Sequence, residues 1–111
     1  MISSFGIDIE DVSRFSKMNY GYNKSFYSKI FTVKEIEYCL SKSDPYMHFT
    51  GKFCAKEAAI KAIGKFVDLH EIEILNIKNK PSILLPRPYE GMVSISHTKK
   101  YAVAMVGLTN N

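Results

Sequence analysis

The stretch Gly51-Lys52-Phe53-Cys54-Ala55-Lys56-Glu57-Ala58-Ala59-Ile60-Lys61-Ala62-Ile63-Gly64 carries most of the information in this chain. It reads as the second part of a helix running from about Tyr46 to Ile63, with Gly64 as its C-terminal cap. At about 100° per residue, Phe49, Phe53, Ile60 and Ile63 share a sector of roughly 80°. Lys56 projects into that sector, Glu57 lies about 40° beyond Phe53, and Lys61 about 40° further. The opposite side is mostly Ala, small enough for close packing against another element. Two readings of the charges are open. Glu57 and Lys61 can form a solvent-side i,i+4 pair worth about 0.3–0.5 kcal/mol, with Lys56 keeping its ammonium wet over the core. Alternatively, charges that interrupt an apolar face mark the edge of a catalytic site.

Working outward, Phe5-Gly6-Ile7-Asp8-Ile9 alternates as a strand, with Phe5, Ile7 and Ile9 on one face and Gly6 and Asp8 on the other. Glu10 falls on the Asp8 face. An acid inside a strand is disfavoured unless its face is wet or binds something. Glu10-Asp11 begins a short helix bearing Val12, Phe15 and Met18, and Phe26 and Ile30 suggest another. Thr32-Val33-Lys34-Glu35 is a capping box for a helix that Ser43-Asp44-Pro45 ends. Beyond Gly64 lie strands around Ile72–Ile77 and Ile83–Leu85, joined by Asn79-Lys80-Pro81. Two more follow, at Val93–His97 and Tyr101–Leu108. A strand, several helices and then antiparallel strands make an α+β order, not a doubly wound one.

The chain has 111 residues, which fits one domain spanning 1–111 and excludes a two-lobed enzyme in one chain. The net charge of +4 suits phosphate-bearing small molecules or acidic proteins. Thirteen of the fifteen basic residues are Lys, and no zinc finger, Arg-rich helix or aromatic RNA-binding strand is present, so nucleic acid is not expected as a partner. No apolar run approaches a membrane span, and MISSFGIDIE lacks a signal peptide's basic start. Cys39 and Cys54 read as reduced thiols of a cytoplasmic protein. His97 ends a strand before Thr98-Lys99-Lys100 and after Ser96, a combination able to grip phosphate. His48 and His70 have no such context and receive no role. Asp8 and Glu57 could jointly hold Mg²⁺, which takes one or two carboxylates plus phosphate oxygens and water.

Three motifs in order, Gly6–Phe15 (GIDIEDVSRF), Phe31–Cys39 (FTVKEIEYC) and Gly51–Gly64, give the chain a resemblance. With the weaker block Ser94–Val106 (SISHTKKYAVAMV), it resembles the small bacterial-type holo-acyl-carrier-protein synthases, the short branch of the 4′-phosphopantetheinyl transferase superfamily. Lys52 stands where many members carry Arg, Asn79 replaces a turn Gly, and the segment after Gly64 is shorter.

The resemblance implies an antiparallel sheet packed against helices, of the single-unit type that assembles as a homotrimer. It implies transfer of the phosphopantetheine arm of coenzyme A to a serine of apo acyl carrier protein, releasing adenosine 3′,5′-bisphosphate. Asp8 and Glu57 would bind Mg²⁺, and Lys61 would stabilise the leaving phosphate. Lys52, His97 and Thr98 would hold the nucleotide end, the His near its 3′-phosphate. Arg14 and Lys17 would face the acidic carrier protein. Glu57 or a metal-bound water near Asp8 would take the serine proton. The runner-up is a non-catalytic module of the same fold that binds acidic proteins.

Overall fold

The computed structural model describes residues 1–109. Strand β1 (Ile2–Asp11) leads into α1 (Ser13–Ser16), a 3₁₀ turn, α2 (Lys24–Ile30), α3 (Val33–Leu40) and α4 (Pro45–Ile63). A second 3₁₀ turn (Leu69–Glu71) precedes β2 (Glu73–Ile77), β3 (Lys80–Leu84), β4 (Glu90–His97) and β5 (Tyr101–Thr109). The first and last strands are neighbours. The main sheet is antiparallel in the order β1-β5-β4, and β2-β3 forms a separate hairpin. The α+β architecture expected from the element order is the one observed.

Local chemistry sets the boundaries. The Asp44 carboxylate accepts from Met47 N–H at 3.3 Å, with Pro45 in the first turn of α4. Gly64 ends that helix at φ 82°, a left-handed conformation that an L side chain would resist. The capping box of α3 forms in full: Glu35 N–H donates to Thr32 Oγ1, and Thr32 N–H donates to Glu35 Oε1. The β2-β3 turn places Lys78 and Asn79 at positive φ, a conformation that Asn tolerates.

Helix α4 is buried on nearly every side and separates two apolar clusters. Its small residues Cys54, Ala55, Ala58, Ala59 and Ala62 pack on the sheet against Ala102, Ala104 and Val106. Its Phe49 and Phe53 pack against Phe15, Tyr27 and Phe31 of the preceding helices. The Ala side packs on the sheet as expected, but the apolar sector is divided: Phe49 and Phe53 join the helical cluster, while Ile60 and Ile63 pack with the sheet cluster. Gly6 lets β1 approach most closely: a Cβ there would lie 1.8 Å from the Ala58 carbonyl oxygen.

Two expectations are corrected. The Lys56 ammonium is not wet but 0% exposed. It pairs with Glu35 Oε1 at 2.7 Å and donates to the carbonyls of Ile30, Ile72 and Leu69 at 2.8, 2.6 and 3.0 Å. Glu35 is therefore both a helix cap and a buried counter-ion. The i,i+4 pair of Glu57 with Lys61 is absent, because Lys61 reaches across to β1 instead.

The strand faces also sort in an instructive way. Gly6, Asp8 and Glu10 form the face turned toward α4, while Phe5, Ile7 and Ile9 are 62%, 60% and 66% exposed. Their register neighbours Met105 and Val103, with Met92 on β4, extend an apolar ladder over the open side of the sheet.

Replacing Gly6 with Ala forces backbone apart from backbone and is expected to cost about 3 kcal/mol or more. Denaturant unfolding checks this, with a lower midpoint at unchanged m value.

Candidate active site

Cys54, Glu57 and Lys61 recur on successive turns of α4, and the first and last of them bond to β1 around Asp8. Cys54 donates its S–H to the Asp8 carbonyl at 3.0 Å. Two turns later, Lys61 donates to the Ile7 carbonyl at 3.0 Å and pairs with Asp8 Oδ1 at 3.1 Å. Glu57 stands midway between them on the same stripe, half-buried and in no ion pair among the described residues. The geometry thus brings Asp8 and Lys61 into contact and puts Glu57 on the helical stripe that lies over Asp8.

The electrostatics of this end are unbalanced. Asp8 Oδ2 is buried and has no donor other than the carboxyl of Glu10 when that acid is protonated. Burial and the neighbouring Asp8 carboxylate push the Glu10 carboxyl up to about 7, against the pull of Arg14. Arg14 holds Glu10 Oε1 at 3.2 Å and lies over the Phe53 ring at 4.7 Å. A buried carboxylate oxygen without another donor is suited to a hard divalent cation, so the residues present fit Mg²⁺. Among the described residues no group of three or more His, Cys, Asp or Glu could hold a metal. Any ion here would rest on two protein carboxylates and take its other oxygens from water or substrate.

Lys61, Asp8, Ile7, Ile9 and Val103 line one open hollow. The catalytic candidates therefore border the exposed apolar ladder. A neighbouring hollow is lined by Ile9, Val103, His97 and Thr98. Thr98 also closes the β4-β5 turn, where its hydroxyl accepts from Lys100 and Tyr101 N–H. Arg14 and Lys17 are exposed beside α1.

Lys52 lies some way from Asp8. It is nine residues before Lys61 on α4, or roughly 13–14 Å of helix rise. It is 4% exposed, and its ammonium donates to the Ile74 carbonyl at 2.7 Å and to Asn76 Oδ1 at 2.8 Å. Burial holds its pKa below the ordinary lysine value. Lys52 and His97 meet at a second cavity of about 220 Å³, with Tyr38, His48 and Asn76 in its wall. Sequence reading missed His48, Tyr38 and Asn76. The available signal was spacing, since His48 precedes Lys52 by four residues and so shares its helical face.

Residues 4–106 match the family described as the 4′-phosphopantetheinyl transferase superfamily. The chain belongs to this superfamily. A holo-[acyl-carrier-protein] synthase of Chloroherpeton thalassium is 40% identical, over 91% of this chain and 93% of the relative. One from Chlamydia caviae is 41% identical over 90% and 91%. A Bacillus anthracis holo-(acyl-carrier-protein) synthase, whose crystal structure is in complex with CoA (3′,5′-ADP), superposes with a TM-score of 0.85 at 33% identity. That match covers 97% of this chain and 96% of the other. The fold is accordingly that of the 4′-phosphopantetheinyl transferases. Among the described residues no helix is long and apolar enough to cross a membrane.

The raised pKa of Glu10 has a definite linkage sign. Folding favours the neutral acid, so the stability it contributes is present below about 4.5 and lost as pH rises through about 7. In chelator-containing buffer, Glu10→Gln should melt progressively higher than the parent between pH 5 and pH 8. Equal melting differences at both pH values would contradict this.

Proposed function

We propose that this chain transfers the 4′-phosphopantetheine arm of coenzyme A to a serine hydroxyl of apo acyl carrier protein, releasing adenosine 3′,5′-bisphosphate. The observation that carries the reading is the Asp8–Lys61 pair, with a second Asp8 oxygen buried and outside that pair and Glu57 on the helical stripe that carries Lys61. That arrangement sits in a chain about 40% identical to holo-acyl-carrier-protein synthases.

Asp8 and Glu57 would hold Mg²⁺, which supplies Lewis-acid charge at a pyrophosphate. Lys61 is half exposed and free to swing from Asp8 to a phosphate oxygen, where its charge stabilises the leaving group. Glu57, in no ion pair among the described residues, or a water near Asp8 would take the serine proton. Asp8 orients Lys61 through the 3.1 Å contact.

The nucleotide end belongs in the cavity shared by Lys52 and His97, and Thr98, in the neighbouring hollow that His97 also lines, would reach it from that side. Two of the Lys52 N–H groups are already taken by Ile74 and Asn76, which leaves one to offer a phosphate. Arg14 and Lys17 offer a basic surface to the acidic carrier protein, and their charge would speed encounter in a salt-sensitive way. Residues 1–111 would act as one catalytic unit working in the cytoplasm.

The apolar ladder of Phe5, Ile7, Ile9, Met92 and Met105 supports assembly. A contiguous exposed apolar face is costly in water and marks an interaction surface. A second and third copy would cover it in a homotrimer. Because Asp8 and Lys61 open onto the same hollow as Ile7 and Ile9, each active site would be completed at a subunit boundary.

Incubation with CoA, Mg²⁺ and apo carrier protein should add one phosphopantetheine to the carrier, read by intact-protein mass. Asp8→Ala and Glu57→Ala should each lower the rate at least about a hundredfold, roughly 2.7 kcal/mol of barrier. A carrier that binds but gains no mass would favour the non-catalytic module. For the assembly, Ile7→Glu should shift sedimentation toward the monomer and weaken CoA binding. A fully active wild-type monomer would overturn the trimer and leave the chemistry intact.

A further inference from the structure

His48 occupies the wall of the nucleotide cavity without a hydrogen-bonded partner among the described side chains. Its ring centroid lies 5.9 Å from that of His97, at 78° between planes, and 5.8 Å from that of Tyr38, at 82°. The Lys52 ammonium also sits on Tyr38, 4.6 Å from the ring centre. Tyr38 thus braces both His48 and Lys52, and His97 closes the opposite side.

Charge around His48 is one-sided. His97 faces it from β4, Lys42 from just beyond α3, and Lys52 from its own helix. The opposing carboxylate is Asp44, which is also engaged as the cap of α4. Burial, and then His97 and the two lysines, hold the His48 imidazole below the ordinary histidine range. An arriving dianion reverses that field and draws a proton onto the ring. Each neutral imidazole brings one N–H donor, and the protonated ring brings two.

We propose that His48 is a specificity-determining residue that clasps a phosphate monoester together with His97 and Lys52, so that this cavity selects nucleotides bearing a 3′-phosphate over those lacking it. The proposal rests on the reading of the cavity as the nucleotide end of the CoA site. It adds a residue and a proton: binding of the bisphosphate takes up H⁺ at His48, and the preference strengthens as pH falls.

Calorimetric titration of the intact protein with adenosine 3′,5′-bisphosphate and with adenosine 5′-monophosphate, at pH 6.5 and 8.5, tests this. His48→Gln should weaken bisphosphate binding about tenfold at pH 6.5, the value of one charge-assisted hydrogen bond, and leave the monophosphate unchanged. His48→Lys should restore the preference and make it less dependent on pH than in the wild type. Titration of the ligand's own phosphate is common to all three proteins and cancels in the comparison. Equal loss of both nucleotides in His48→Gln would mean a packing role and overturn the proposal. So would wild-type bisphosphate affinity in that variant, and if phosphopantetheine transfer is also intact, the assigned function stands without the clasp. No bisphosphate binding by the wild type would overturn the clasp and the nucleotide reading of the cavity together.

Discussion

The buried Lys56 ammonium is the constraint on which the rest of the chain is arranged. A fully desolvated cation is destabilising by several kcal/mol unless it is paired and hydrogen-bonded. Here the matching groups come from three places at once: the end of α2 through Ile30, the turn before β2 through Leu69 and Ile72, and α3 through Glu35. Glu35 extends the same network by accepting from Ile74 N–H of β2 at 2.7 Å. The helices and the hairpin are thereby tied to the midpoint of α4. With Lys56 held, the helix cannot rotate about its axis. Glu57, the next residue, is carried to the side that overlooks β1.

The opposite side of α4 sets the depth of that approach. Gly6 and the Ala residues allow strand and helix backbones to touch, and this nearness is what lets Lys61 span to Asp8. A bulkier seam would separate the two charges and leave each of them solvated. Orientation by Lys56 and depth by Gly6 are independent controls on one site.

Much of this was legible in the residues. The caps of α3 and α4, the Gly64 terminus and the β2-β3 turn are local chemistry, written in side chains within a few positions of one another. The motif order led correctly to the superfamily, and the Asp8–Lys61 contact joins two residues that the sequence itself singles out. Three features were not legible for one shared reason, that they depend on what lies opposite. Lys56 looked like a snorkelling lysine because its partner Glu35 was already accounted for as a helix cap. The alternation in β1 told which residues share a face, but not that the face with Gly6 and two acids would be the covered one. His48 gained its meaning only when β4 placed His97 beside it.

Each apolar cluster contains one free cysteine, Cys54 between α4 and the sheet and Cys39 between α3 and α4. Burial pushes both thiols up to about 12, and neither is exposed. A thiol so placed reacts with an alkylating reagent only during the moments when its own cluster opens. The chain therefore carries two natural clocks, one for separation of α4 from β1 beneath the catalytic residues and one for loosening of the helical half. Their labelling rates, followed by mass, would tell whether the two halves breathe together or apart.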